Sequence, residues 1–292
     1  MKRNILFSAS MILFAATLQL SAQTSGSRKI LMPYNRMIQP AGTQIFFGDA
    51  SRENHALDAA LSPDGKWLAV EERYSIVFIS TRDNEVKFIL RNFDNKLLAG
   101  GMNTYSGITW HKSKDGMEVF WSSTGRGNSS YVLSAKWDGE TAVFGKMLGY
   151  NPEKDAALAL PNEIKITKEA GKEYIYVVLN GNNKVFKQDL SNGDTIWIAD
   201  PGVAPYGLVM ASGKLYVTNW AGRHPEKYDK EVAGVPWGLA RVDNNAGGAT
   251  REGSVAVIDP ENGHIIKEII VGLHPNGIIS DREGKYIYVT NS

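Results

Sequence analysis

Lys214-Leu215-Tyr216-Val217-Thr218-Asn219 returns later in the chain as Lys285-Tyr286-Ile287-Tyr288-Val289-Thr290-Asn291. Each run follows a glycine, Gly213 or Gly284, and is rich in β-branched and aromatic residues. That is the makeup of a strand entered from a tight turn. The same figure stands at Gly65, before Lys66-Trp67-Leu68-Ala69-Val70, and at Gly116, before Met117-Glu118-Val119-Phe120-Trp121. It stands again at Gly171, before Glu173-Tyr174-Ile175-Tyr176-Val177-Val178. The five glycines are 51, 55, 42 and 71 residues apart. Hairpins recurring at about 40–50 residues predict the blades of a β-propeller.

The remaining half of each unit is a second hairpin. Ser254 to Asp259, the turn Pro260-Glu261-Asn262-Gly263 and the return from His264 to Val271 make one copy. Lys184 to Leu190 with Asp194 to Ile198, Ile76 to Ser80 with Glu85 to Leu90, and Tyr131 to Trp137 with Thr141 to Phe144 make three more. The fold class is therefore all-β, a propeller of four-stranded antiparallel blades. About 4.5 blades are present: four whole units and the first half of a fifth. A propeller closes by pairing strands from the two ends of its chain. Either Gln44-Ile45-Phe46-Phe47 supplies an outer strand to the last blade of a five-bladed ring, or the chain is the front part of a longer protein. The second is favoured because the sequence stops directly on a strand.

Composition limits the function. The 292 residues carry 32 Lys and Arg against 31 Asp and Glu, with 43% hydrophobic residues. Such balance draws neither nucleic acid nor an anionic surface. With no cysteine, disulfides, thiolate metal sites and thiol nucleophiles are excluded. Lys2 and Arg3, an apolar run from Ile5 to Leu18 and the small residues of Leu20-Ser21-Ala22 form the three-part pattern of a secretory signal peptide over 1–22. The expected domain plan is signal peptide 1–22, then a partial propeller over 23–292 with a long insert at 220–253. The expected location is exported, periplasmic or secreted, with no transmembrane segment.

No catalytic set and no metal motif stand out, so no catalytic residue, metal or cofactor is assigned. No two of the five histidines lie at i, i+2 or i, i+4. His111 reads as a solvated residue opening a hairpin turn, and His264 as a surface strand residue. Asp243-Asn244-Asn245 lacks the ligand spacing of a calcium loop. Pro161, Pro205 and Pro275 each stand at the start of an inner strand, where a missing N–H costs little. Asn162, Tyr206 and Asn276 follow them by one residue and fall at corresponding points of successive blades. They either meet a ligand at the channel mouth or cap local turns. His274, just before Pro275, either faces a ligand or bonds within its loop. The insert carries Trp220, Arg223, His224, Tyr228, Trp237 and Arg241, the aromatic and arginine types that anchor binding surfaces. It packs on a neighbouring domain, binds a small molecule or lies as an inert flap.

Tyr216-Val217-Thr218-Asn219 and Tyr288-Val289-Thr290-Asn291 resemble the signature of the YVTN-type propeller repeat. A second likeness starts at Leu31-Met32-Pro33-Tyr34-Asn35-Arg36 and runs through Gln39-Pro40-Ala41-Gly42-Thr43-Gln44, Gly48-Asp49 and Leu61-Ser62-Pro63-Asp64-Gly65. Together with the insert from Asn219-Trp220-Ala221-Gly222-Arg223-His224-Pro225 to Glu252-Gly253-Ser254, it is similar to bacterial exported proteins. These join an N-terminal YncE-like propeller to a C-terminal phosphoesterase of the alkaline phosphatase superfamily. That family tends to have Arg where this chain has His224. The resemblance implies a seven-bladed ring in the full-length protein and a phosphoesterase domain as partner. None of the phosphoesterase metal motifs matches here, so that activity cannot be assigned to these residues. The leading expectation is an exported, non-catalytic scaffold or recognition module. The alternative is a propeller enzyme of the lactonase type, which needs carboxylates and histidines converging from different blades. The residues named at the channel mouth, Asn and Tyr, do not supply them. A quinoprotein-type electron-transfer role finds no cofactor ligands.

Overall fold

The computed structural model describes residues 29–292 apart from 50, 155, 230–231, 235–240 and 244–249. The segment 1–22, read as a signal peptide, lies outside the described residues. The chain divides into two units, Met1–Phe46 and Phe47–Ser292. The described part of the first unit is a short hairpin, β1 (Ile30–Met32) against β2 (Arg36–Ile38). Gln44–Phe47 forms no strand, so it is not the outer strand that ring closure asked of it.

The second unit is a β-propeller. Blade 1 is β3 (Ala56–Leu61), β4 (Trp67–Glu72), β5 (Ser75–Ser80) and β6 (Val86–Arg91). Blade 2 is β7 (Asn103–Ser113), β8 (Gly116–Thr124), β9 (Ser130–Trp137) and β10 (Ala142–Tyr150). Blade 3 is β11 (Pro161–Glu169), β12 (Lys172–Leu179), β13 (Lys184–Asp189) and β14 (Thr195–Ala199). In blade 4, β15 (Pro205–Ala211) and β16 (Lys214–Asn219) are followed by the insert, which holds the small hairpin β17 (Val232–Gly234) and β18 (Arg241–Asp243). The chain then returns as β19 (Gly253–Ile258) and β20 (Ile265–Val271) to complete blade 4. β21 (Pro275–Ser280) and β22 (Ile287–Asn291) form a two-stranded half blade. Every neighbouring pair is antiparallel, and the innermost strands β3, β7, β11, β15 and β21 stand side by side in that order.

The strands of blades 2 and 3 are near-continuous apolar runs because both faces of each blade are buried against a neighbour. Alternate residues of one strand therefore serve two different cores. Val119 and Trp121 of β8 pack with Phe78, Trp110 and Trp137 in the core between blades 1 and 2. Phe120, between them in sequence, packs with Ile164, Ile175 and Val177 in the core between blades 2 and 3. Tyr176 and Val178 join Leu208, Leu215 and Val217 between blades 3 and 4. Phe78 and Trp137 stack with ring centroids 4.4 Å apart and planes 7° from parallel.

Register identifies equivalent residues in successive blades. Pro161 faces Leu179, Pro205 faces Asn219 and Pro275 faces Asn291, with Asn103 on Ser123 and Ala56 on Glu72 in the first two blades. Each inner strand then carries a bulge, after which Ile108, Ile164, Leu208 and Ile278 resume the pairing in the later blades, and in blade 1 Asp58 pairs with Glu71 ahead of Ala59 with Val70. One residue before Ala59, Ile108, Ile164, Leu208 and Ile278 stand the equivalent positions Asp58, Gly107, Glu163, Gly207 and Gly277. On the facing strand the equivalents are Glu71, Ser122, Val178, Thr218 and Thr290. Ser122 Oγ donates to the Asn162 carbonyl of the next blade at 2.5 Å, and Thr218 Oγ1 to the Asn276 carbonyl at 3.1 Å.

Close approach of backbones fixes Gly107. Its φ is +108°, and a methyl group there would overlap the Asn162 carbonyl oxygen and the Ser122 hydroxyl. Gly65 also has a positive φ, +70°, but faces open space. Gly107→Ala is expected to cost about 2–4 kcal/mol through strain and overlap, whereas Gly65→Ala costs about 1 kcal/mol for conformation alone. Thermal denaturation of the two variants side by side tests this; equal losses would contradict the inter-blade constraint.

Candidate functional site

The residues singled out from the sequence fall into two groups. One gathers at the root of the insert. The Trp220 ring stacks on His274 with centroids 4.1 Å apart and planes 11° from parallel. His274 holds φ +49°, as Leu160 and Ala204 hold +50° and +52° before the other two prolines. Its unusual backbone is thus a feature of the repeat. Arg223 grips Asp229 through both terminal nitrogens at 2.8 and 2.9 Å. His224 Nε2 lies 2.7 Å from Asp200 Oδ1, and Lys184 Nζ 3.0 Å from Asp200 Oδ2. Burial alone would raise the Asp200 carboxyl, but these hydrogen bonds outweigh it and hold it low. Arg223 and His224 are thereby engaged in fastening the insert root. Trp237 lies outside the described residues. Arg241 begins β18, and Asp243 ends it.

Asn276 takes the turn-capping role: its Oδ1 accepts from Gly277 N at 2.7 Å and from Thr290 Oγ1 at 2.8 Å. His111 is not solvated. β7 runs on to Ser113, so His111 lies within the strand, 8% exposed, 3.4 Å from Glu173 of the next blade and edge-on to Phe120. His264 is exposed, as read from the sequence.

The second group is at the inner ends of the blades, where Asn162 and Tyr206 stand among carboxylates that were not anticipated. Asp58 and Glu163 occupy the same bulge position in blades 1 and 3, where blades 2, 4 and 5 have glycine. Glu71 faces Asp58 across β3 and β4. Asp58 Oδ2 accepts from Gly107 N at 3.0 Å and its Oδ1 from Ala59 N at 2.7 Å. Glu163 Oε1 accepts from Ile164 N at 3.2 Å. Glu71 is fully buried, and neither of its oxygens has a hydrogen-bond partner; the Asn162 Oδ1, 1% exposed, also has none. Among the described residues no Lys, Arg or His forms an ion pair with Asp58, Glu71 or Glu163. The Tyr206 hydroxyl reaches from blade 4 to the Tyr105 carbonyl of blade 2, at 3.4 Å.

These groups sense one another. Burial, then the charges of Asp58 and Glu163, drive the Glu71 carboxyl well above the usual carboxylate range. Burial, then Asp58, pushes Glu163 up to about 8 against smaller opposing effects of the Ile164 N–H and Lys165. Tyr206 is also raised, first by burial and then by all three carboxylates despite the Ser106 hydroxyl. Carboxyl groups with raised affinity for protons can donate as well as accept hydrogen bonds near neutral pH, the property used by acid–base catalysts and by sites for cations. The residues directly after the prolines, Asn162, Tyr206 and Asn276, do not themselves announce the acids. The signal was one step further, where Glu163 breaks the glycine pattern of Gly207 and Gly277.

A wide cleft of about 1040 Å³ lies instead between the outer parts of blades 2 and 3. Its five lysines, Lys114, Lys136, Lys146, Lys168 and Lys172, alternate with four acids, and it presents no single sign of charge. Lys146 is also committed to the Leu190 carbonyl, at 2.6 Å.

No family profile matches the chain, and no curated protein matches it. Solved structures do. A functionally unknown protein from Desulfotomaculum acetoxidans superposes with a TM-score of 0.52 at 14% identity, over 81% of this chain and 62% of that one. The Dos1 propeller superposes at 0.50 with 10% identity, over 90% and 55%. The periplasmic gluconolactonase PpgL of Pseudomonas aeruginosa superposes at 0.50 with 16% identity, over 80% and 62%. At these identities the likeness shows the fold: the chain is a β-propeller, spanning about three-fifths of the length of these relatives. No helix among the described residues is long and apolar enough to cross a membrane.

Two expectations follow. Replacing Glu71 by Thr, the residue at the equivalent position of blades 4 and 5, removes an unpartnered buried carboxyl and offers a hydroxyl to the Ser106 carbonyl. Glu71→Thr should raise stability by about 1–3 kcal/mol, read as a higher Tm; a lower Tm would show that Glu71 holds the blades together. Glu71 and Glu163 bind their protons more tightly folded than unfolded. The Glu163 contribution is fully present below the unfolded value, about pH 4.5, and is lost as pH rises through about 8; Glu71 acts in the same direction. Tm should therefore fall between pH 5 and pH 9, and Glu163→Gln should flatten that fall.

Proposed function

We propose that this chain is the propeller part of an exported protein and serves as a recognition module, with its ligand site at the inner ends of blades 1 to 4. The observation that carries the reading is the set Asp58, Glu71 and Glu163. A fold built for stability alone fills this bulge position with glycine and staples it with a hydroxyl, as blades 2 and 4 do. Unpaired buried carboxyls cost stability, and such costs concentrate where a ligand is met. Export is supported by the signal-like pattern of 1–22. The likeness to YncE-like propellers joined to phosphoesterases supports a larger protein in which a catalytic domain is the partner. We assign the insert root, with Trp220, Arg223, His224 and His274, to contact with that partner, and Trp237 and Arg241 to the same insert.

One observation favours a second reading, a lactonase-type enzyme: carboxylates from different blades do converge, as such an enzyme requires. The purified chain is expected to leave p-nitrophenyl phosphate and glucono-δ-lactone at their blank rates. Hydrolysis of the lactone above blank, lost in Glu163→Gln, would replace the recognition reading with the enzymatic one. Hydrolysis of the phosphate ester would overturn the placement of that chemistry in another domain.

A further inference from the structure

We propose that the inner-end site recognises an organic cation, a guanidinium or alkylammonium group, seated between Glu71, Asp58 and Glu163. This rests on the recognition reading and names its ligand class.

Three separate features fit a positively charged group with several hydrogens to donate. First, the acids at the bulge position come from alternate blades, Asp58 from blade 1 and Glu163 from blade 3, with Gly107 between them. Gly107 links the two: its N–H donates to Asp58 Oδ2 at 3.0 Å, and its Cα packs against the backbone carbonyl of Asn162, the residue before Glu163. Second, Glu71 is fully buried with both oxygens unpartnered, and Asp58 faces it across β3 and β4. Two empty acceptors inside the protein are what an N–H-rich ligand satisfies. Third, Tyr206 stands beside the acids and feels the charge of all three, and aromatic rings attract cations.

The same geometry argues against a bare metal ion. A divalent cation needs its oxygens gathered at about 2.0–2.6 Å from one point. Among the described residues no group of three or more acids or histidines is gathered closely enough to hold an ion. A guanidinium, with five N–H donors spread over a plane, or an ammonium with three, bridges carboxylates that are set further apart.

The groups facing the site are Asp58 on β3, Glu71 on β4, Ser106 on β7, Glu163 and the more distant Lys165 on β11, and Tyr206 on β15. Lys165 is the single positive charge among them. Without ligand, the raised affinity of Glu71 and Glu163 for protons keeps the pair largely neutral near pH 7. A cation favours their ionised forms, so binding expels protons. Affinity then rises with pH by up to about tenfold per unit for each proton released.

The test is isothermal titration calorimetry on the full chain with n-butylguanidinium and n-butylammonium chloride at pH 6 and pH 8. Calcium chloride, sodium gluconate and glucono-δ-lactone serve as comparators. The expected result is one site for at least one of the two organic cations, tightening at least about tenfold from pH 6 to pH 8. Heats should depend on the buffer as protons leave. Glu71→Gln and Glu163→Gln should each weaken binding at least about tenfold and reduce the pH slope, with circular dichroism confirming that both fold. Calcium binding without organic-cation binding, no binding of either cation, or unchanged affinity in both variants would each overturn the proposal. An inert chain that fails to bind these cations would lose this ligand class while leaving the recognition reading in place. Lactone turnover would remove that reading itself.

Discussion

The close approach of one blade's inner strand to the next is the constraint on which this protein turns. A Ser or Thr hydroxyl reaches across to a backbone carbonyl, from Ser122 to Asn162 and from Thr218 to Asn276. The bulge residue beside it must then be glycine, because at Gly107 or Gly207 a Cβ atom would overlap that same carbonyl. Hydroxyl and glycine therefore come as a pair. A blade that replaces the glycine with an acid lacks the hydroxyl too: blade 1 has Asp58 with Glu71, and blade 3 has Glu163 with Val178. The candidate site is the consequence of abandoning the staple in those two blades.

What holds the blades together where the staple is missing is apolar packing and a few directed polar contacts. Between blades 1 and 2, the Phe78–Trp137 stack is backed by Trp110 and Trp121. Trp110 Nε1 donates to the Ala60 carbonyl at 2.9 Å, and Asn103 Nδ2 to the Glu72 carbonyl at 2.7 Å. Burial of large aromatic side chains contributes about 1.5–3 kcal/mol each. That reserve is enough to tolerate unpartnered carboxyls at the inner end.

Repeat architecture makes this division of labour possible. Each blade packs its apolar core only against its neighbours, so one position can be stabilising in one blade and chemically active in the next without disturbing the rest. The insert after Asn219 uses the same freedom at the blade edge. Its root is fastened by the Trp220–His274 stack and the Arg223–Asp229 pair, while the blade itself resumes at β19 in full register with β16.

Much of the fold was legible in the chain because a strand–turn–strand unit is a local pattern. The glycines at 65, 116, 171, 213 and 284 and the apolar runs after them are set by neighbouring residues, and they delivered four blades and a half as observed. His111 was misplaced because a Trp-His-Lys-Ser stretch reads as a turn, whereas the neighbouring blade draws it into an eleven-residue strand beside Glu173. Asp58, Glu71 and Glu163 were passed over for a related reason. Each is an unremarkable acid in its own strand, and they are 13 and 92 residues apart along the chain. Sequence alone determined the strands, their turns and their repetition, since these depend on backbone preferences within a few residues. Only the tertiary structure decided which acids meet, because the inner ends of separate blades come together through packing around an axis that no short stretch of chain encodes.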